Sequence, residues 1–88
     1  MVGPVLTAEP VGHAVAEVLL QENAGATLVD RGSYLRVTAP QRCVLSRRAV
    51  EARLGRPFHL PGDLERVMPA FKGHLQVSAE EASWQARR

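Results

Sequence analysis

Val44-Leu45-Ser46-Arg47-Arg48-Ala49-Val50-Glu51-Ala52-Arg53-Leu54-Gly55-Arg56-Pro57-Phe58 shows the start, the stop and the charge pattern of a complete helix. Ser46 reads as the N-cap, with a hydroxyl able to accept an orphan amide. Leu45 before it and Val50 inside the helix are spaced to close a hydrophobic staple. Gly55 supplies the left-handed residue that ends the helix. Val50 and Leu54 share the face that must pack, and Arg47, Arg48, Ala52 and Arg53 occupy the remainder. Two arginines in the first turn oppose the helix macrodipole, at a cost of ~0.3–1 kcal/mol per exposed charge. A locally disfavoured charge pattern points to a partner.

Working outward, strands and helices alternate. Pro4 to Thr7 reads as a short strand, and Glu9-Pro10 as a helix start, since proline is tolerated in a first turn. Val11, Val15, Val18 and Leu19 recur at helical spacing, so this helix runs to about Asn23 and Gly25 stops it. Leu28 to Arg31 and Tyr34 to Ala39 read as two strands joined around Gly32. The second sets Leu35 and Val37 against Tyr34, Arg36 and Thr38, one face core and the other wet. After Pro40, Arg42 to Leu45 forms a strand running into the 46–54 helix. A helical turn is expected near Gly62 to Met68. Phe71 to Val77 and Ala82 to Gln85 are expected to form a closing hairpin whose second arm, weakly apolar, is prone to fray. Each half thus reads as strand, helix, two strands: an α+β chain with two main helices and mostly antiparallel sheet.

The composition sets limits. With 88 residues, 45% hydrophobic and 23% charged, the chain reads as a single domain, residues 1–88, with a modest core and no room for a buried active site and cofactor cavity. Its apolar tracts fall short of a bilayer span, and its N-terminus lacks the layout of a signal peptide, so a cytoplasmic location is expected. Cys43, the single cysteine, lies in an apolar run and reads as a buried, inert thiol. Charge is lopsided. Met1 to Asp30 holds four acids and no lysine or arginine, whereas Arg31 to Arg56 holds seven arginines and Glu51 alone. Such a block can mark a nucleic-acid face. Apart from Tyr34, however, no aromatic residues interleave it, and the solitary helix does not make a helix-turn-helix. Arg53, Arg87 and Arg88 read as solvated charges.

The residues that could do chemistry do not assemble in sequence. His13, His59 and His74 share no helical or Cys/His ligand spacing, so no metal site is expected. Glu80 and Glu81 are adjacent, which on a strand sends them to opposite faces. Ser46 is explained by capping, and the glycines fall at scattered turn positions rather than in a phosphate loop. A domain of this kind acts by binding, through different affinities for the states of a partner.

Leu45-Ser46-Arg47, Val50-Glu51 and Leu54-Gly55-Arg56-Pro57-Phe58 resemble the core motif of the effector, or coupling, proteins of soluble diiron monooxygenases, the methane, toluene, phenol and alkene types included. Val2-Gly3-Pro4-Val5, the turn Glu22-Asn23-Ala24-Gly25-Ala26-Thr27, Arg31-Gly32-Ser33-Tyr34-Leu35-Arg36-Val37 and Phe71-Lys72-Gly73-His74-Leu75 fit in order and spacing. The layout is nearest the toluene, alkene or isoprene type. The resemblance implies two small β-α-β-β halves meeting at a corner. It implies a cofactor-free, non-catalytic subunit that docks on the diiron hydroxylase, tunes its active site and oxygen activation allosterically, and competes with the ferredoxin or reductase. A small nucleic-acid-binding module is the alternative. The expected partner-binding residues are Arg47, Arg48 and Glu51 on the basic helix, with Arg31 and Tyr34 from the preceding hairpin. Each has a bland alternative: Glu51 can pair with Arg47 at i, i+4, and Tyr34 can cover a sheet edge. Phe71 and Trp84 read as core.

Overall fold

The computed structural model describes residues 1–87. Among these the elements are β1 (Gly3–Thr7), α1 (Pro10–Glu22), β2 (Thr27–Asp30), β3 (Tyr34–Thr38), β4 (Arg42–Ser46), α2 (Arg47–Leu54), α3 (Gly62–Val67), β5 (Ala70–Lys72), β6 (His74–Val77) and β7 (Glu81–Gln85). All named strand pairs are antiparallel, in a four-stranded sheet ordered β2-β3-β1-β5 and a three-stranded sheet ordered β4-β7-β6. This is the expected α+β class.

One core joins both sheets. Leu6, Leu35 and Val37 from the first sheet, Val15, Val18 and Leu19 from α1, Val50 from α2, Phe58 and Leu64, and Cys43, Leu45, Ala82 and Trp84 from the second sheet are all buried in a single cluster. Full burial of a large aliphatic side chain contributes about 1.5–3 kcal/mol, so Val15, Val18 and Leu19 anchor α1 strongly. The alternation read in β3 holds, with Leu35 and Val37 buried and Arg36 exposed between them.

Three expectations fail at the carboxy-terminal end. The stretch from Phe71 to Val77 is not one strand: it breaks at Gly73, so that β5 pairs with β1 in one sheet and β6 with β7 in the other. Gly73 has φ 103, and a Cβ there would stand 2.7 Å from Val2 Cγ1 and 2.8 Å from the Gln85 carbonyl oxygen. Glycine is required at this corner both by the left-handed backbone and by the close approach. The second arm does not fray. β7 is the central strand of its sheet, with Ala82, Ser83 and Trp84 buried. Trp84 is core as expected, whereas Phe71 is 46% exposed.

The halves are fastened at the end of α1. The Asn23 carboxamide donates through Nδ2 to the Val44 carbonyl (2.8 Å) and accepts through Oδ1 from the Val44 amide (2.8 Å), satisfying both outward groups of an edge strand as another peptide would. Nδ2 also donates to the Leu19 carbonyl (2.9 Å), closing the last turn of α1. Two residues on, the Ser46 amide donates to Glu22 Oε1 (3.0 Å). At the other end of α1 the contact is backbone on backbone: a Cβ on Gly12 would stand 1.8 Å from the Thr7 carbonyl oxygen.

Two substitutions test this framework. Gly12→Ala favours an isolated helix by ~1 kcal/mol, but here it should lower stability by ~1–3 kcal/mol through overpacking. The expected readout is a fall in the urea unfolding midpoint at unchanged slope. Asn23→Ala strands the Val44 amide and carbonyl together, and should cost about 2–3 kcal/mol in the same measurement.

Candidate functional site

The basic helix begins where β4 ends. Ser46 is the N-cap, accepting from the Ala49 amide at 3.3 Å, and Gly55 closes the helix with φ 72. α2 runs back along α1, because Glu22 in the last turn of α1 holds Ser46, while Glu17, earlier in α1, pairs with Arg53 at 2.8 Å. Arg53, read as a solvated charge, is thus tied to α1. Arg87 is exposed as expected, and Arg88 lies outside the described residues.

Arg47 is committed within the molecule. Its Nη1 meets Glu51 Oε1 at 2.6 Å, its Nη2 meets Glu80 Oε1 at 2.9 Å, and its amide donates to the Glu80 carbonyl at 3.0 Å. These carboxylates offset the charge that the helix terminus disfavours. Glu51 is committed in turn, since its Oε2 accepts from the Phe58 amide at 2.9 Å. That bond first, and the Arg47 guanidinium after it, hold the Glu51 carboxyl below the usual carboxylate range. Glu80, Arg47, Glu51 and Phe58 therefore form a chain of hydrogen bonds. It links the β6–β7 turn to α2 and to the loop that delivers Phe58 into the core. Arg48, next along, is exposed and forms no ion pair among the described residues.

Arg31 and Tyr34 sit elsewhere. The Arg31 amide donates to the Tyr34 carbonyl at 2.9 Å, and the Gly32 amide to Asp30 Oδ1 at 2.8 Å, closing the β2–β3 turn. Tyr34 is half-buried opposite Thr7, near the start of α1. Arg47 follows Ser46, near its end. The 13 residues of α1 span about 19 Å, so the five expected residues form two groups at opposite ends of α1. Arg31 and Tyr34 make one, Arg47, Arg48 and Glu51 the other.

The rest of the arginine block is dispersed. Arg36 lies on β3, Arg42 on the second sheet, and Arg47 and Arg53 are in ion pairs, so the block makes no continuous phosphate-tracking stripe. Among the described residues no group of three His, Cys, Asp or Glu side chains is placed to hold a metal ion. Cys43 is buried, and burial pushes its thiol up to about 11, away from thiolate chemistry at neutral pH. No helix among them is long and apolar enough to cross a membrane.

Sequence reading passed over one surface. Strand registers place Val29, Arg36, Val5 and Ala70 in a row across the four-stranded sheet, on the side away from α1. Lys72, opposite Gly3, lies on the same side. Alternation marked Arg36 as wet, but no local signal marked the row as continuous.

The profile of the MmoB/DmpM family matches residues 1–85. The effector subunit of the alkene monooxygenase system of Xanthobacter autotrophicus (strain ATCC BAA-1158 / Py2) is 35% identical over 86 residues, spanning 96% of this chain and 84% of the relative. The fold is similar to chains in two structures of a phenol hydroxylase–regulatory protein complex. One has a TM-score of 0.88 at 19% identity, covering 98% of each chain. The other has a TM-score of 0.76 at 21% identity, covering 91% of this chain and 94% of that one.

The Glu51 contacts give a pH dependence. A carboxyl depressed on folding adds stability above its unfolded value of about 4.3, and that stability is lost as pH falls through the lower folded value. Glu51→Gln should therefore be less stable than the parent at pH 7. The gap should close progressively below about pH 4 in thermal unfolding followed by circular dichroism.

Proposed function

Because this chain belongs to the MmoB/DmpM family, we propose that it is the regulatory subunit of a multicomponent diiron monooxygenase, acting in the cytoplasm by docking on the hydroxylase component. The observation that carries this reading is the 35% identity to an alkene monooxygenase effector subunit along nearly the whole chain. The likeness to chains of hydroxylase–regulatory protein complexes agrees in fold. The subunit is non-catalytic, in keeping with its family and with the effector subunit it resembles.

Its effect on turnover is a difference of affinities. The docked subunit stabilises one conformation of the hydroxylase more than another, and only that difference alters the active site, oxygen activation and coupling. The same docking competes with the ferredoxin or reductase for the hydroxylase, which gates electron entry. Of the expected set, Arg31 and Tyr34 carry the contact; Arg48, also without an ion pair among the described residues, lies at the other end of α1. Arg47 and Glu51 act through the loop they hold.

Steady-state oxidation by the cognate hydroxylase and its reductase, with this protein titrated in, tests the reading. Product formed per NADH consumed should rise and level off near one subunit per hydroxylase active site. A flat response at every ratio, with the protein shown to be folded, would overturn it.

A further inference from the structure

The side of the four-stranded sheet away from α1 combines three features. Its middle is apolar and open: Val29 is 43% exposed at one edge, Ala70 is exposed at the other, and Val5 is half-buried between them. It carries a hollow of about 170 Å³ lined by Gly3, Val5, Arg36, Thr38, Ala70 and Lys72, with Phe71 at its edge-strand rim. A side chain at Gly3 would meet the Val37 carbonyl oxygen at 2.1 Å, so the close approach of β1 and β3 keeps that wall of the hollow bare.

The third feature is charge. Arg36 and Lys72 flank the hollow, both exposed, and neither forms an ion pair among the described residues. No acid lies in the strand rows of this face. Asp30 pairs opposite Leu35 and so belongs to the α1 side, with its carboxylate on the Gly32 amide. Beyond the end of β1, the Glu9 carboxylate accepts from the Thr7 hydroxyl at 3.1 Å. Arg47, by contrast, meets Glu51 and Glu80, and Arg53 meets Glu17. Two uncompensated cations around an apolar hollow complement a surface of opposite charge with an apolar projection at its centre.

We propose that this sheet face, rather than the α2 face, seats on the hydroxylase, taking an apolar side chain of the partner into the hollow while partner carboxylates meet Arg36 and Lys72. The proposal rests on the reading of the protein as a hydroxylase-docking subunit. Tyr34, on the same side of β3 as Arg36, and the neighbouring Arg31 extend the contact toward the β2–β3 turn.

Equilibrium titration of the full chain against the purified hydroxylase, together with coupling measured under the same conditions, tests it. Arg36→Glu and Lys72→Glu should each weaken binding by about tenfold or more. Ala70→Phe, which fills the hollow, should do likewise. Arg42→Glu, the same charge change on the three-stranded sheet, should stay within about twofold of the parent. All four positions are exposed, and unchanged thermal midpoints establish that each variant is folded.

If the parent binds and raises coupling while all three face variants bind equally well, the proposed face is wrong and the functional reading stands. If the parent neither binds the hydroxylase nor raises coupling, the reading fails and the proposal falls with it. A free protein that sediments as a dimer, dissociated by Ala70→Phe, would assign the face to a second copy and overturn the proposal. So would retention on duplex DNA abolished by Arg36→Glu.

Discussion

A single carboxamide does for this molecule what a further strand would otherwise do. β4 is an edge of its sheet, and Asn23 satisfies both the amide and the carbonyl of Val44 while closing the last turn of α1. Glu22 takes the next outward amide, at Ser46. An unpaired edge invites pairing with foreign strands, and here the end of a helix occupies it. The position of the whole second half follows. Ser46 is at once the last residue of β4 and the N-cap of α2, so fixing β4 against α1 fixes where α2 starts and which way it runs.

The parts of the fold legible in the sequence are those decided by near neighbours. The limits of α2 follow from Ser46 and Gly55, those of α1 from Pro10 and the apolar spacing to Leu19, and the two faces of β3 from strict alternation. The division at Gly73 was not legible. It depends on Val2 and Gln85 pressing on the glycine from distant parts of the chain. The place of β7 depends on distant contacts in the same way. Ala82-Ser83-Trp84 looks too polar for a buried strand until it is placed in the middle of a sheet, where even Ser83 is covered.

The candidate site is divided by the same boundary between local and distant contacts. Two arginines at a helix start do signal an unmet electrostatic demand, and for Arg47 half of the answer, Glu51, stands one turn away. The other half, Glu80, comes from a turn between the last two strands. The scarcity of aromatic residues argues for Phe71 in the core, yet a residue on a three-residue edge strand has cover on one flank only. Arg36 was recognised as wet, but its company with Val29, Val5 and Ala70 exists only once four strands are in register.

The crossing at Gly73 also governs the order in which the protein can come into being. β1 leaves the ribosome first, and its outer neighbour β5 is nearly the last strand to follow, Gly3 lying opposite Lys72. The first sheet therefore cannot be completed while the chain is still being made up to α3, and β4 in turn waits for β7, which follows β5 and β6. Contacts this distant in sequence slow folding, because the loop between them must be closed before they contribute. Until then the nascent chain holds β1, β3 and the apolar side of α1 as an unfinished layer. Neither half is a separable module, and a chain truncated before Ala70 would lack the strands that finish both sheets.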